Sequence, residues 1–376
     1  MSVTISSNFC GGNIDVLDAS DASNIRLNIA KDKDSDFYQW FYFRVTAEAG
    51  QALRLVIENA AGAAYPRGWE KYKAVISYDL AQWSRVPAAY DGKHLTIETV
   101  LEQNSAYVAY FAPYPLERHA RLIARAQAAT FSRVSVLGQT LDGRDMDLVT
   151  IGEAGNGKKA LWVIARQHPG ETMAEWWMEG FLERLLDADC RASSWLRDRA
   201  VLYIVPNMNP DGSTRGHLRT NAAGVNLNRE WQTPSMEKSP EVYLVLNKMR
   251  ETGLDFALDV HGDEALPYNF IAGSEGIPGY TEQQQAQLDR FKAEYVAANA
   301  DFQTRYGYPV NKPGKANLAI CGNALAAEFD ALAMTLEMPF KDNADRPDAQ
   351  VGWSPERSKR LGADALDALV GVFDLL

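Results

Sequence analysis

Beyond Pro115 the chain alternates short, wholly apolar runs with amphipathic stretches, and three of those runs stop beside a group able to bind a metal or carry a proton. Ala160-Leu-Trp-Val-Ile-Ala165 reads as a buried strand and leads into Gln167-His-Pro-Gly-Glu171. Phe256-Ala-Leu-Asp-Val260 is followed at once by His261, and Ala331-Leu-Ala-Met-Thr-Leu336 by Glu337. Apolar strands separated by helices specify an α/β sheet covered on both faces. Open sheets of this kind bind ligands outside the carboxyl ends of their strands, where His168, Glu171, His261 and Glu337 all fall. Residues 174–186, 240–250 and 281–300 have helical spacing, a closing helix starts near Pro355, and residues 200–205 form a further strand. Ser239 before Pro240 makes a good helix start, because serine can cap and the first turn does not need the N–H that proline lacks.

Before Pro115 the texture differs. Candidate strands at residues 37–47, 51–58, 73–80, 94–101 and 106–111 are separated by turn signals such as Glu48-Ala-Gly50 and Asp91-Gly92. Close spacing without a long helix predicts an antiparallel β-sandwich of roughly 100 residues. The aromatic run Phe37-Tyr-Gln-Trp-Phe-Tyr-Phe43 reads as packing between its two sheets. A chain of 376 residues exceeds the usual single-domain size, so two domains are expected, residues 1–115 and 116–376.

Composition narrows the partners. A net charge of −11 argues against nucleic acid or an anionic membrane, which select basic surfaces. No apolar run approaches the roughly 20 residues needed to span a bilayer, and the first ten residues have no secretory character. Cys10, Cys190 and Cys321 are scattered and odd in number, so a reducing cytoplasm is the expected location.

The chemistry lies with the strand-end residues. Two imidazoles and one carboxylate, from His168, Glu171 and His261, give zinc three protein ligands and leave a fourth position open, the mark of a catalytic site. Glu337, adjacent and not a ligand, can take a proton from water and return it to a leaving amine. Taken alone, His-x-x-Glu is a weak signal, since a histidine at a strand end is more often a hydrogen-bonded structural residue. His94 and His119 read as structural, and His217, in a polar loop, reads either way. Asn207, Asn209 and Asp211 suit the Asn-Pro-Asp-Gly turn that they surround. Asp259 falls two residues before His261 and points either to the same side, as support for that ligand, or outward.

His168-Pro-Gly-Glu171, Pro206-Asn-Met-Asn-Pro-Asp-Gly212, Asn226-Leu-Asn-Arg-Glu-Trp231, His261 and Thr335-Leu-Glu337 occur in this order. Together they resemble the zinc carboxypeptidase family typified by the pancreatic enzymes. They are most similar to its cytosolic carboxypeptidase subfamily, which includes tubulin deglutamylases and bacterial relatives. Gln39-Trp-Phe-Tyr-Phe-Arg44 and Phe111-Ala-Pro-Tyr-Pro115 resemble the N-terminal signatures of that subfamily. The resemblance implies a mixed-sheet α/β/α catalytic domain behind an antiparallel β-sandwich. It implies one zinc per chain at His168, Glu171 and His261, with Glu337 as general base. It further puts Asn228 and Arg229 on the substrate's terminal carboxylate and Arg219 on the scissile carbonyl, making peptide or protein C-termini the substrates. An arginine fork matches a carboxylate, and a second arginine can stabilise a developing oxyanion.

One departure concerns a mobile tyrosine that the pancreatic enzymes use shortly before the general base; no tyrosine lies between Tyr308 and Glu337 here. Arg305, Lys312 and Lys315 fall where the family builds its side-chain pocket, and a basic residue there, Lys315 foremost, would favour C-terminal glutamate or aspartate. Two other readings compete. A zinc amidohydrolase acting on small N-acyl amino acids shares the ligand pattern but generally lacks such a sandwich, and a non-catalytic binder of peptide C-termini would not need Glu337.

Overall fold

Strand periodicity sets the two faces of the central sheet. Along the Lys159–Ala165 strand, Leu161, Val163 and Ala165 join one apolar cluster, while Ala160, Trp162 and Ile164 join another on the opposite side. The computed structural model describes residues 3–155 and 157–376. Seven strands form this sheet in the order Ser132–Gln139, Asp145–Ile151, Ala200–Val205, Lys159–Ala165, Phe256–Asp263, Leu332–Pro339 and Phe270–Ala272. The four consecutive strands from Ala200–Val205 to Leu332–Pro339 run parallel. The outer pairings are antiparallel.

Helices Thr172–Leu185, Glu282–Ala298 and Pro355–Val372 cover one face, and Pro240–Thr252 and Cys321–Phe329 cover the other. Thr172–Leu185 crosses Pro355–Val372 at a pair of glycines. A Cβ on Gly180 would collide with the backbone of Lys359, and one on Gly362 with that of Trp177. Only glycine permits this approach, and it buries Trp177, Phe181 and Leu369 along the contact. Among the described residues no helix is long and apolar enough to cross a membrane.

The N-terminal strands form two five-stranded sheets. One runs Thr4–Ser6, Tyr42–Thr46, Ser105–Ala109, Ala74–Ser77, Ser84–Val86; the other runs Asp15–Asp18, Ile25–Asn28, Ala52–Ile57, Leu95–Val100, Ala88–Tyr90. Pairing is antiparallel apart from Ile25–Asn28 with Ala52–Ile57, which is parallel. Phe41, Phe43, Trp69, Tyr72 and Tyr110 fill the interior. Tyr110 stacks on Phe340 with centroids 4.6 Å apart, so the core runs on from the sandwich into the sheet that carries His261 and Glu337.

Three expectations about local structure are corrected. The strand expected at residues 37–47 is regular only over Tyr42–Thr46; the residues before it are spent on side-chain bonds, such as Tyr38 Oη to the Asn59 carbonyl. The Phe256–Asp263 and Leu332–Pro339 strands continue past the expected ends, so His261 and Glu337 lie within them. Ser239 does not cap its helix: its hydroxyl turns to Glu230, and only Pro240 at the first position follows the expectation.

Candidate metal centre and active site

The parallel ladder places His261 directly opposite Glu337 on the neighbouring strand. The turn leaving the Lys159–Ala165 strand brings His168 and Glu171 to the same point. His168 Nδ1 lies 2.7 Å from Glu171 Oε1, and His261 Nδ1 lies 2.8 Å from Glu171 Oε2. The two Nδ1 atoms are 3.1 Å apart. Tetrahedral zinc with bonds of roughly 2.0–2.1 Å holds its ligand atoms roughly 3.3 Å apart, so this donor set fits it. The far ring nitrogens are engaged elsewhere: His168 Nε2 donates to Asn226 Oδ1 at 3.0 Å, and His261 Nε2 to Asp259 Oδ2 at 2.8 Å. Fixing Nε2–H in this way turns each Nδ1 lone pair to the metal position.

Electrostatics follow the same plan. Burial, aided by Arg219, pushes His168 down to about 4, so its imidazole is neutral as a ligand must be. His261 differs: burial works against its charge, but Asp259 and Glu171 hold it well above the usual histidine value, so a metal bound at its Nδ1 would displace a proton. Glu337 is 7% exposed and lines the cavity, and its buried Oε2 has no hydrogen-bond partner among the described residues. Burial first, then Glu171, raises its carboxyl well above the ordinary range, against the pull of His261. A divalent cation beside it would bring that value down again.

Supporting residues lock the metal turn from behind. Gln167 donates to Asp259 Oδ2 at 2.6 Å and accepts from Trp231 Nε1 at 2.9 Å. Arg166 adopts a left-handed backbone, φ 60°. Its guanidinium donates to the Pro169 carbonyl at 3.0 Å, to Tyr114 O at 2.7 Å and to Glu175 at 2.5 Å. His119 bridges Glu175 at 2.7 Å and Asp147 at 3.1 Å; burial opposes its charge, but these carboxylates raise it to about 9. Asn209 caps the Pro210–Arg215 helix through Gly212 N and holds Gln167 O at 3.0 Å. Asn207 donates to Glu175, and Asp211 accepts from Thr140. Asp259 faces inward, and His94 sits in a surface turn beside Asp91.

A cavity of about 450 Å³ opens over the ligands. His168, Glu171, Arg219, Asn228, Arg229 and Glu337 all line it. Arg219 lies between the rings of Tyr65 and Phe37, at 5.4 and 5.6 Å, and among the described residues its guanidinium has no hydrogen-bond acceptor. Burial opposes its charge, but Tyr65, Glu171, Glu264 and Glu337 hold it above the usual arginine value. Asn228 Oδ1 accepts from Cys321 N at 2.8 Å, which orients its amide. His217 stays outside the cavity. It accepts from Lys33 N through Nε2 and faces Thr220 O through Nδ1.

Lys315 does not line the cavity: it is exposed, as are Lys312 and Arg305, the last paired with Asp345 at 2.8 Å. The loop between Pro309 and Ala316 points its charges outward because its proline- and glycine-set turns bury nothing. The lysine that lines the cavity is Lys292, on the Glu282–Ala298 helix, 3.9 Å from Glu275. Tyr65, Glu264 and Tyr308 are further lining residues that sequence reasoning passed over. Tyr308, the tyrosine at which the gap before Glu337 begins, donates to Asp263 Oδ2 at 2.6 Å at the cavity mouth. Its place as the last tyrosine before that gap was the available signal; Tyr65 and Lys292 carried none, being remote from every motif.

Comparison with known proteins agrees with this geometry. The zinc carboxypeptidase family matches residues 120–324, and the cytosolic carboxypeptidase N-terminal domain matches residues 5–111. An uncharacterized protein of Zymomonas mobilis is 52% identical over 376 residues, covering 100% of this chain and 98% of that one. Human cytosolic carboxypeptidase 1 is 30% identical over 251 residues, which are 55% of this chain and only 20% of that much longer protein. The crystal structure of a metallo-carboxypeptidase from Burkholderia cenocepacia superposes with a TM-score of 0.97 at 47% identity, covering 100% of both chains. A metallo-carboxypeptidase from Pseudomonas aeruginosa, in complex with (2-guanidinoethylmercapto)succinic acid, gives 0.96 at 46% identity over 99% of both chains. A three-donor cradle at the strand ends, in a chain so matched along its length, belongs to a metallopeptidase hydrolase: this protein is a member of the zinc carboxypeptidase family.

Proposed function

We propose that the protein is a cytoplasmic exopeptidase, holding one zinc per chain, that removes the last residue of peptides or proteins with a free C-terminal carboxylate. The observation that carries this reading is the shared cavity: His168 and Glu171 of the three-donor cluster, Glu337, and the arginines Arg219 and Arg229 all line one space, with His261 directly behind them. Bound by His168, Glu171 and His261, zinc supplies Lewis acidity that lowers the pKa of water towards about 7. Glu337 accepts the proton of the attacking water and passes it to the departing amine. Arg219, with its donors unengaged, stabilises the oxyanion that forms at the scissile carbonyl. Arg229 and Asn228 hold the terminal α-carboxylate, which sets the cut at one residue from the end. The boundary between sandwich and catalytic unit is put at 115/116, just before the Leu116–Ala128 helix.

Side-chain preference falls to Lys292 rather than Lys315. Its ammonium stands 3.9 Å from Glu275, too far for a hydrogen bond, and so keeps donors for an acidic side chain. The ligand of the Pseudomonas relative, a guanidino-bearing succinic acid, carries two carboxylates, the group that an arginine-lined cavity suits, while its cationic guanidine adds nothing to the case for an acidic side chain. Glu337 beside the ligands weighs against a protein that only binds C-termini.

The test is one peptide offered as its free acid and as its C-terminal amide. Losing a charge-assisted hydrogen bond costs about 1.5–3 kcal/mol, so amidation should lower kcat/KM by about tenfold to a hundredfold. Equal rates on the two would refute exopeptidase action.

A further inference from the structure

The sandwich does more than cover the site. Asp32, which belongs to it, is 1% exposed and reaches across to the segment that carries Arg219. Its Oδ1 accepts from Leu218 N at 2.6 Å. Its Oδ2 accepts from Arg219 N at 2.8 Å, Thr220 N at 2.9 Å and Thr220 Oγ1 at 3.0 Å. Three consecutive backbone N–H groups and a hydroxyl thus converge on one buried carboxylate. Peptide groups that point their N–H the same way form a concave anion site, and here the anion is a side chain from another part of the fold.

Asp32 is itself held. Its own N–H donates to Phe37 O at 2.8 Å, which closes a loop and puts the Phe37 ring against Arg219. On the same side Asn13 donates to Gly216 O at 2.8 Å, and Lys33 N donates to His217 at 3.0 Å. Gly216 has φ +69°, and a Cβ there would strike the carbonyl oxygens of Gly11 and Gly12, so the 216–220 loop is pressed onto the sandwich. At its far end Tyr65, also from the sandwich, lines the cavity and presents its ring to the Arg219 guanidinium.

We propose that Asp32 is a positioning residue for Arg219, fastening the backbone of Leu218-Arg219-Thr220 so that the guanidinium stays over the cavity between Phe37 and Tyr65. The proposal rests on the reading of Arg219 as the group that meets the scissile carbonyl. Two physical points favour it over plain structural support. The bonded amides include that of Arg219 itself, so backbone freedom at that residue is removed directly. The guanidinium has no acceptor to hold it, so its aim depends on its backbone and on the two rings. A competing route exists, because Leu218 O accepts from Gly170 N at 2.9 Å in the metal turn. Zinc content separates the two routes.

The experiment is a double-mutant cycle in the full-length zinc enzyme, with kcat and KM measured on a free-acid peptide. Asp32→Asn keeps the size but turns an amide donor towards backbone donors. It should lower kcat by about tenfold, with KM nearly unchanged and zinc content as in the wild type. In an Arg219→Ala background the same change should cost less than about twofold, because there is no guanidinium left to aim. An equal fall in both backgrounds, a fall matched by zinc loss, or no fall at all would overturn the proposal. Should Asp32→Asn not fold, Thr220→Val removes one donor to the same carboxylate, and the same cycle decides with an expected fall of about threefold. A wild-type enzyme inert on every free-acid peptide would sink the exopeptidase reading and this proposal together, whereas an active wild type unaffected by Asp32→Asn sinks this proposal alone.

Discussion

His261 and Glu337 sit opposite each other on neighbouring strands, whereas Arg219, Tyr65, Tyr308 and Lys292 reach the same cavity from a loop, the sandwich, a second loop and a helix. The donor cluster is held by the backbone ladder at His261, by the turn that carries His168 and Glu171, and by buried partners for the far ring nitrogens. The substrate-facing wall is held by side chains that come together only once the chain has folded. The difference teaches where chemistry and selectivity are kept. Proton transfer and metal binding need placement to a fraction of an ångström, which strands and a turn locked by buried hydrogen bonds supply. Substrate choice tolerates looser supports and can change without disturbing the cradle.

The sharpest way to test that division is at Glu337. Glu337→Gln keeps the shape and the strand register but cannot accept a proton. Turnover should fall by roughly a thousandfold while zinc content stays at the wild-type level. Near wild-type turnover would move the general base to another residue and blur the line between cradle and wall.

A smaller effect is expected from the wall. Lys292→Glu should shift the ratio of rates on peptides ending in glutamate and in leucine by about tenfold, against glutamate, with the rate on leucine little changed. Lys315→Glu should leave that ratio where it is, since Lys315 is exposed and outside the cavity. A shift caused by Lys315 and not by Lys292 would restore the loop as the selectivity element.

The last effect is on stability rather than turnover and concerns the support beneath the cradle. The pKa of His119 is raised to about 9 by Asp147 and Glu175, from an unfolded value of about 6.5. Its contribution is therefore fully present below about pH 6.5 and is lost as the pH rises through about 9, at most about 3 kcal/mol in all. Denaturant unfolding at pH 6 and pH 9.5 should show this loss, and His119→Gln should flatten it. An unchanged slope in the variant would assign the pH dependence elsewhere.

The cradle was legible in the sequence because each of its parts leaves a local mark. An apolar run announces a buried strand, and a histidine or glutamate at its end breaks the pattern visibly. Lys159–Ala165 and Ala200–Val205 emerged almost to the residue for this reason. The outer strands Ser132–Gln139 and Asp145–Ile151 went unseen. Ser132–Gln139 has no fully buried position and exposes every third residue rather than alternating, and a bulge interrupts the pairing between the two strands. The wall was less legible still. Lys292 lies on a helix face whose spacing says only that it is half-buried, and nothing near it marks a cavity. Lys315 drew attention instead because it sits among glycines and prolines, which signal a loop but not the direction in which its charges point. Asp32 and Tyr65 are separated from Arg219 by more than a hundred residues, and pairings of that kind leave no period to read.

Tyr110 lies flat against Phe340, and Phe340 follows directly on the strand that carries Glu337. This stack ties the sandwich to the catalytic unit in heredity as well as in space. A gene that lost its first third would expose Phe340 and strip the carboxylate from the Leu218-Arg219-Thr220 amides. Such a fragment would be sticky where it had been packed and slack where it had been aimed. The sandwich is therefore no freely interchangeable module: a replacement would have to cover Phe340 again and offer a carboxylate to those three amides.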